Sequence, residues 1–276
     1  MIERTLSASA FIVNESRAKA EALSLDSYAK LWVDDDVRKL WCLFRDEVYA
    51  QDPQALAARN RFFLECANSF FTGNPHGIFI NIAAGFTSYP YLMENPVETI
   101  EIDLPAVVEY KKKKTREFRT AGYLPDRDVT YLACDLNTGK GIEAIVPALS
   151  EKTKERPGFI LLEGISYYLK RDSFFSLLNA VSRLQTPGSE LSLDYWEPEV
   201  LKNRIFMKFR DFLEKRCGHP GRGYNLLTPT DIRSISGYSV GLETDVSAVE
   251  RRISEKPVLQ EWTKRLPENF VKLVRI

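Results

Sequence analysis

A chain of 276 residues carrying 38 basic and 38 acidic side chains is long enough to bury a core without covalent staples, and its balanced charge excludes a polyanion-binding surface driven by net field. Four cysteines, Cys42, Cys66, Cys134 and Cys217, lie far apart with no C-x-x-C pair, which argues against a zinc site and a disulfide framework; no metal is expected. With no run of eighteen apolar residues and no apolar leader, the expectation is an unexported cytoplasmic protein that touches neither membrane nor nucleic acid.

From residue 16 to 72 apolar side chains recur at spacings of three and four, broken at Asp34-Asp35-Asp36 and Asp52-Pro53, which predicts three helices. Residues 1–72 are therefore expected to form a helical extension. After Thr72-Gly73-Asn74-Pro75 the pattern changes to short apolar runs, GIFINI, VETIEI, VTYLAC and GFILLE, separated by helical stretches. That alternation predicts an α/β fold with a parallel sheet and crossover helices over 73–276. In DSFFSLLNAVSRL, Phe174, Leu177, Leu178, Val181 and Leu184 fall on one face, with Asp172 placed to cap the start. ELSLDYW reads as a strand and EPEVLKNRIFMKFRDFLEKR as one long helix. FVKLVRI reads as a terminal strand beside YSVGLE. The lysine block Lys111 to Lys114 reads as a solvated helix face.

Chemistry concentrates where the strands end. INIAAGF offers Ala83, Ala84 and Gly85, small enough for a ligand to reach backbone N–H groups, with Gly85 free to take a positive φ. Asp103 ends the next strand, at the distance from Gly85 where a carboxylate can accept from both hydroxyls of a ribose. YLACDLN ends in Asp135 and FILLEG in Glu163, so three successive strands finish in acids on one sheet edge. Such an edge is poor for phosphate, which needs donors and positive charge. It suits a ribose, an adenine amino group and a cationic or zwitterionic tail, the parts of S-adenosylmethionine.

The stretches INIAAGFTSYPYL, IEIDLPAVVEYK and LLEGISYYL, with ESRAKAEAL at 15–23 and ARNRFF at 58–63, resemble the leucine carboxyl methyltransferase family up to about residue 195. The resemblance implies a class I, Rossmann-like methyltransferase sheet with a helical N-terminal extension, a lid inserted at about 197–235, and S-adenosyl-L-methionine as methyl donor. Carried over by motif, Ala83, Ala84 and Gly85 line the methionine part. Asp103 binds the ribose with Leu104 beside it, and Asp135 and Leu136 flank the adenine. Glu163 and Gly164 sit near the ammonium, and Arg61 pairs with the methionine carboxylate. Where the family writes Gly-Ala-Gly-x-Asp-Thr-Arg, this chain has Ala83-Ala84-Gly85-Phe86-Thr87-Ser88-Tyr89. A methyl replaces the first glycine's hydrogen, which is tolerable at negative φ, and the acid and the arginine are gone.

Methyl transfer from a sulfonium is an in-line displacement, so the protein must align the partners and, for a weakly acidic acceptor, remove a proton. Candidates are His219, Arg222 and Tyr224 in the lid stretch RCGHPGRGYN, and Tyr168 after Glu163; His76 reads as a loop residue. Three readings follow: O-methylation of a hydroxyl or carboxyl on a small natural-product acceptor, methylation of a protein C-terminal carboxyl, or a fold relative that binds ligand without methyl transfer. The assembly is expected to be a monomer or homodimer.

Overall fold

The structure, a computed structural model, describes residues 8–154, 156–217 and 223–276. Before the sheet come α1 (Ala8–Lys19), α2 (Glu21–Ser24), α3 (Asp35–Glu47) and α4 (Asp52–Gly73). The sheet region then runs β1 (Ile78–Ile82), α5 (Tyr89–Leu92), β2 (Glu98–Asp103), α6 (Pro105–Thr120), β3 (Val129–Ala133), α7 (Gly139–Thr153), β4 (Gly158–Leu162), α8 (Arg171–Ser182) and β5 (Glu190–Tyr195). It closes with α9 (Arg204–Arg216), α10 (Pro229–Arg233), β6 (Tyr238–Asp245), α11 (Val246–Ile253) and β7 (Asn269–Arg275).

Local chemistry sets several boundaries. Asp34 caps α3 by accepting from the Val37 N–H, and Asp35 and Asp36 complement the helix dipole in its first turn. Pro105 starts α6 where a missing N–H costs nothing. Asn203 accepts from the N–H groups of Ile205 and Phe206, so the single long helix expected from residue 197 divides into a 3₁₀ turn (Pro198–Lys202) and α9. Asp172 lies inside the first turn of α8 rather than capping it; the cap position is Lys170, which makes no side-chain cap bond.

The seven strands lie in the order β3-β2-β1-β4-β5-β7-β6. The first five pair in parallel, and β7 runs antiparallel to both β5 and β6. Period-two alternation divides the core. Ile78, Ile80 and Ile82 of β1 pack with α7 and α8, whereas Phe79 packs with Phe62, Phe63, Phe70 and Phe71 of α4. The helical N-terminus thus shares its core with one face of the sheet. Register brings the strand ends level, with Asp103 opposite Ala133 and Ile82 opposite Ile102. The order in which successive strands are added reverses between β1 and β4, so the crevice at their carboxyl ends is a topological switch point.

Lys111 departs from its sequence reading. It is buried, pairs with Glu101 of β2 at 2.8 Å and reaches the Ala84 carbonyl at 3.5 Å, so it braces the loop after β1 from beneath. Among the described residues no helix is long and apolar enough to cross a membrane.

Candidate functional site

A cavity of about 520 Å³ opens at the carboxyl ends of β1, β2, β3 and β4 and extends between α1, α3, α4 and α9. Its volume lies within the range of small-molecule sites. Five carboxyl-bearing residues line it, Asp52, Asp103, Asp135, Glu163 and Glu268, against two guanidinium groups, Arg17 and Arg59.

At the end under β1 and β2, the loop after β1 bends through two left-handed residues, Ala83 at φ 56° and Gly85 at φ 46°. Gly85 owes its place to that angle, because a Cβ there would meet nothing nearer than Ala10 Cβ at 3.9 Å. Ala83 takes the same strained region with a side chain, so the negative φ at which its methyl would be tolerable is not the one the loop adopts. Asp103 fastens the bend: one carboxylate oxygen accepts from the Gly85 N–H and the other from the Leu104 N–H, both at 2.7 Å. Each oxygen keeps a lone pair for a further donor. Burial raises the Asp103 carboxyl above the usual range, against those two backbone donors. Leu104, Asp135 and buried Leu136 complete this end.

The middle of the cavity holds a buried ionic cluster. Glu163 accepts from Arg17, from Arg59 at 2.8 Å and from the Tyr89 hydroxyl at 2.7 Å. Burial by itself would push the Glu163 carboxyl up, but the two guanidinium groups hold it below the ordinary range. Arg59 also pairs with Glu268 at 3.0 Å and Asp194 at 3.4 Å. Asp194 goes the other way, held protonated well above the usual carboxylate range by burial and by neighbouring Glu268. Gly164, at φ 69°, donates its N–H to Asp194. Three polar atoms of two cavity-lining residues one turn apart on α1 have no hydrogen-bond partner among the described residues: Arg17 Nε and Nη1, donors, the latter 3.6 Å from Asp26, and Asn14 Oδ1, an acceptor. A buried donor and acceptor left orphaned together mark a place where a ligand completes the bonding.

The far end is aromatic. Tyr167 stacks on Trp196 with ring centroids 3.7 Å apart, and Phe44, Phe209, Leu213 and Leu266 line the remaining wall. Trp196 Nε1 is buried without a hydrogen-bond partner among the described residues.

The sequence matches the leucine carboxyl methyltransferase family over residues 6–182, more than half of the chain. The chain belongs to the leucine carboxyl methyltransferase family. Among curated proteins it is 32% identical over 145 residues to one named as an S-adenosyl-L-methionine-dependent methyltransferase in Mycolicibacterium paratuberculosis, a match covering 51% of this chain and 44% of that protein. The chain thus matches under half the length of this relative. Among solved structures it superposes on a methyltransferase of Thermobifida fusca with a TM-score of 0.63 at 15% identity, covering 98% and 95% of the two chains. It superposes on a protein of Streptomyces avermitilis at 0.66 and 10% identity over the full length of both. These likenesses are of fold: a mostly parallel, seven-stranded sheet with helices on both faces.

Of the residues carried over from the leucine carboxyl methyltransferase motifs, Ala83, Ala84, Gly85, Asp103, Leu104, Asp135, Leu136, Glu163 and Gly164 are brought to one cavity. Arg61 is not. It sits on the outer face of α4, pairing with Glu65 at 2.6 Å. Two residues along a helix rotate a side chain by about 200°, so Arg59 enters the cavity and Arg61 leaves it. Tyr168 lines the cavity; Tyr224 packs on Tyr168 and Trp196 behind that wall. His219 and Arg222 lie outside the described residues. At the end of the departed family motif, Tyr89 stands in the arginine's place and donates to Glu163, while Arg17 brings the positive charge.

Sequence reasoning missed Arg17, Arg59, Asn14, Asp52, Asp194 and Glu268. A signal existed for two of them. Asp52, Ala55, Leu56 and Arg59 share one helical face, and charged residues interrupting an otherwise apolar stripe mark a buried polar site.

Proposed function

We propose that the protein is an S-adenosylmethionine-dependent methyltransferase that methylates an oxygen nucleophile, a hydroxyl or carboxyl, on a small-molecule acceptor. The observation that carries this reading is the placement of Asp103 and the orphaned Arg17 Nε and Asn14 Oδ1 along one cavity, with family membership behind it. The residues fit the donor. Asp103 would accept from the ribose hydroxyls, and Leu136 and Asp135 would bound the adenine. Arg17 would meet the amino-acid carboxylate, and Asn14 with Glu163 the ammonium. When bound, the donor supplies an activated methyl group on a sulfonium.

The protein's share of the work is alignment and exclusion of water. Arg59, tied to Glu163 and Glu268, holds the strand ends and α4 in a fixed relation, so the donor and acceptor halves keep one geometry. The aromatic far wall, closed by Tyr167, Trp196 and Phe209, supports a small, largely apolar acceptor rather than a peptide tail. The free thiols of Cys42, Cys66, Cys134 and Cys217 suit a reducing compartment, in line with a cytoplasmic location. Calorimetric titration with S-adenosylmethionine and S-adenosylhomocysteine tests the reading: saturable binding of both is expected, and no heat at millimolar ligand would remove it.

A further inference from the structure

One carboxylate in the acceptor end has no task in holding the donor. Asp52 opens α4, is 4% exposed and lines the cavity. Its Oδ2 accepts from the Ser16 hydroxyl, whose oxygen in turn accepts from Trp41 Nε1 at 2.8 Å. That chain of donors fixes the carboxylate's orientation, yet no cation pairs with Asp52 directly among the described residues. The charged and titratable groups around it are Tyr49 from the loop before α4, Arg59 on α4, Arg17 on α1, Glu163 at the end of β4, Asp194 on β5 and Glu268 before β7. With Asp194 held protonated, Asp52, Glu163 and Glu268 still outnumber the two guanidinium groups, and Arg17 is shared with a further acid, Asp26.

Such a shortage of positive charge is costly in a buried site unless a cation arrives. A sulfonium donor, with its ammonium and carboxylate, brings one net positive charge. A carboxylate acceptor would add another anion beside Asp52 and Glu268. A neutral hydroxyl adds none, and it both accepts and donates a hydrogen bond. Among the described residues the same end presents one unpartnered donor, Trp196 Nε1, and one carboxylate, Asp52.

We propose that Asp52 is the catalytic base and that the acceptor is a neutral hydroxyl rather than a carboxylate. The inference rests on the methyl-transfer reading above. In the step, the acceptor O–H bond breaks and its proton goes to Asp52. The oxygen's electron pair forms the bond to the methyl carbon, and the pair of the S–CH₃ bond stays on sulfur. The sulfonium charge and the Asp52 charge vanish together, so the buried site holds the same net charge before and after. Burial pushes the Asp52 carboxyl up to about 6, against hydrogen bonds from Ser16 and Tyr49 and the charge of Arg59, which is a useful position for a base working near neutral pH.

The test compares the charged and uncharged forms of the donor. Calorimetry at pH 6, in two buffers of different ionisation enthalpy, counts the protons released when each ligand binds. Asp52 is about half protonated there, so S-adenosylmethionine should release up to roughly half a proton more than S-adenosylhomocysteine. Asp52→Asn should abolish the difference. Equal counts in the wild-type protein, or a difference that survives Asp52→Asn, would overturn the assignment of the base while leaving the methyl-transfer reading intact. Absence of binding by either ligand would overturn both. Saturation-transfer NMR on the S-adenosylhomocysteine complex then compares phenol with benzoate. A stronger phenol signal is expected; a benzoate signal at least as strong, or none from phenol, overturns the acceptor class.

Discussion

Replacing Ala83 by glycine and, separately, Ala84 by glycine should change stability by different amounts. An L-residue held in the left-handed region costs about 1–2 kcal/mol, and Ala83, at φ 56°, carries that strain. Glycine relieves it but adds about 0.4–1 kcal/mol of unfolded-state entropy. Removal of a half-buried methyl costs less than the ~0.8 kcal/mol of a fully buried one. The balance for Ala83→Gly is close to neutral, at most about 1 kcal/mol more stable. Ala84 is buried and has no positive φ to relieve, so Ala84→Gly adds the entropy and loses the full methyl, about 1 to 2 kcal/mol less stable. Urea unfolding with the slope held common to all three proteins reads the difference. Equal losses in the two variants would refute the claim that this loop stores backbone strain at Ala83.

Asp103→Ala should weaken binding of S-adenosylhomocysteine by about 1.5 to 3 kcal/mol, the range for hydrogen bonds to a charged group; unchanged calorimetric affinity would mean the ribose is held elsewhere. Arg59→Met should cost about 3–5 kcal/mol in denaturant unfolding because it strands Glu268 without its cation and leaves Glu163 with Arg17 alone. Arg61→Ala, which breaks a half-exposed pair with Glu65 and a long 3.5 Å hydrogen bond to the Leu23 carbonyl, should stay within about 0.5 kcal/mol. The pH dependence follows from Asp52. Its carboxyl rises on folding to about 6, so the folded state binds a proton that the unfolded chain has released. Stability from this group is therefore full below the unfolded value of about 3.9 and is lost as pH rises through 6, by up to about 3 kcal/mol. Asp52→Asn should remove that slope and leave the variant more stable than wild type at pH 8; a variant less stable at pH 8 than at pH 4, relative to wild type, would contradict it.

Strand grammar was legible because it is local. The short apolar runs GIFINI and VETIEI, the small residues of the bend, and acids at successive strand ends are properties of neighbouring residues, and parallel register then brings Asp103, Asp135 and Glu163 to one crevice. The departures came where one side chain's role depends on a distant one. Lys111 reads as one of four solvated lysines until β2 places Glu101 beneath it.

By itself, then, the order of residues determined the alternation of strands and helices and the acids at successive strand ends, because backbone periodicity and turn chemistry act over a few residues. Only the tertiary structure decided which arginine of ARNRFF faces inward, since the rotation of α4 is set by packing Phe62, Phe63, Phe70 and Phe71 against the sheet. It also decided that Arg17, Asp52 and Glu268, from opposite ends of the chain, share one buried charge cluster. Electrostatics in a low-dielectric interior depends on distance through space, and no sequence spacing encodes that distance.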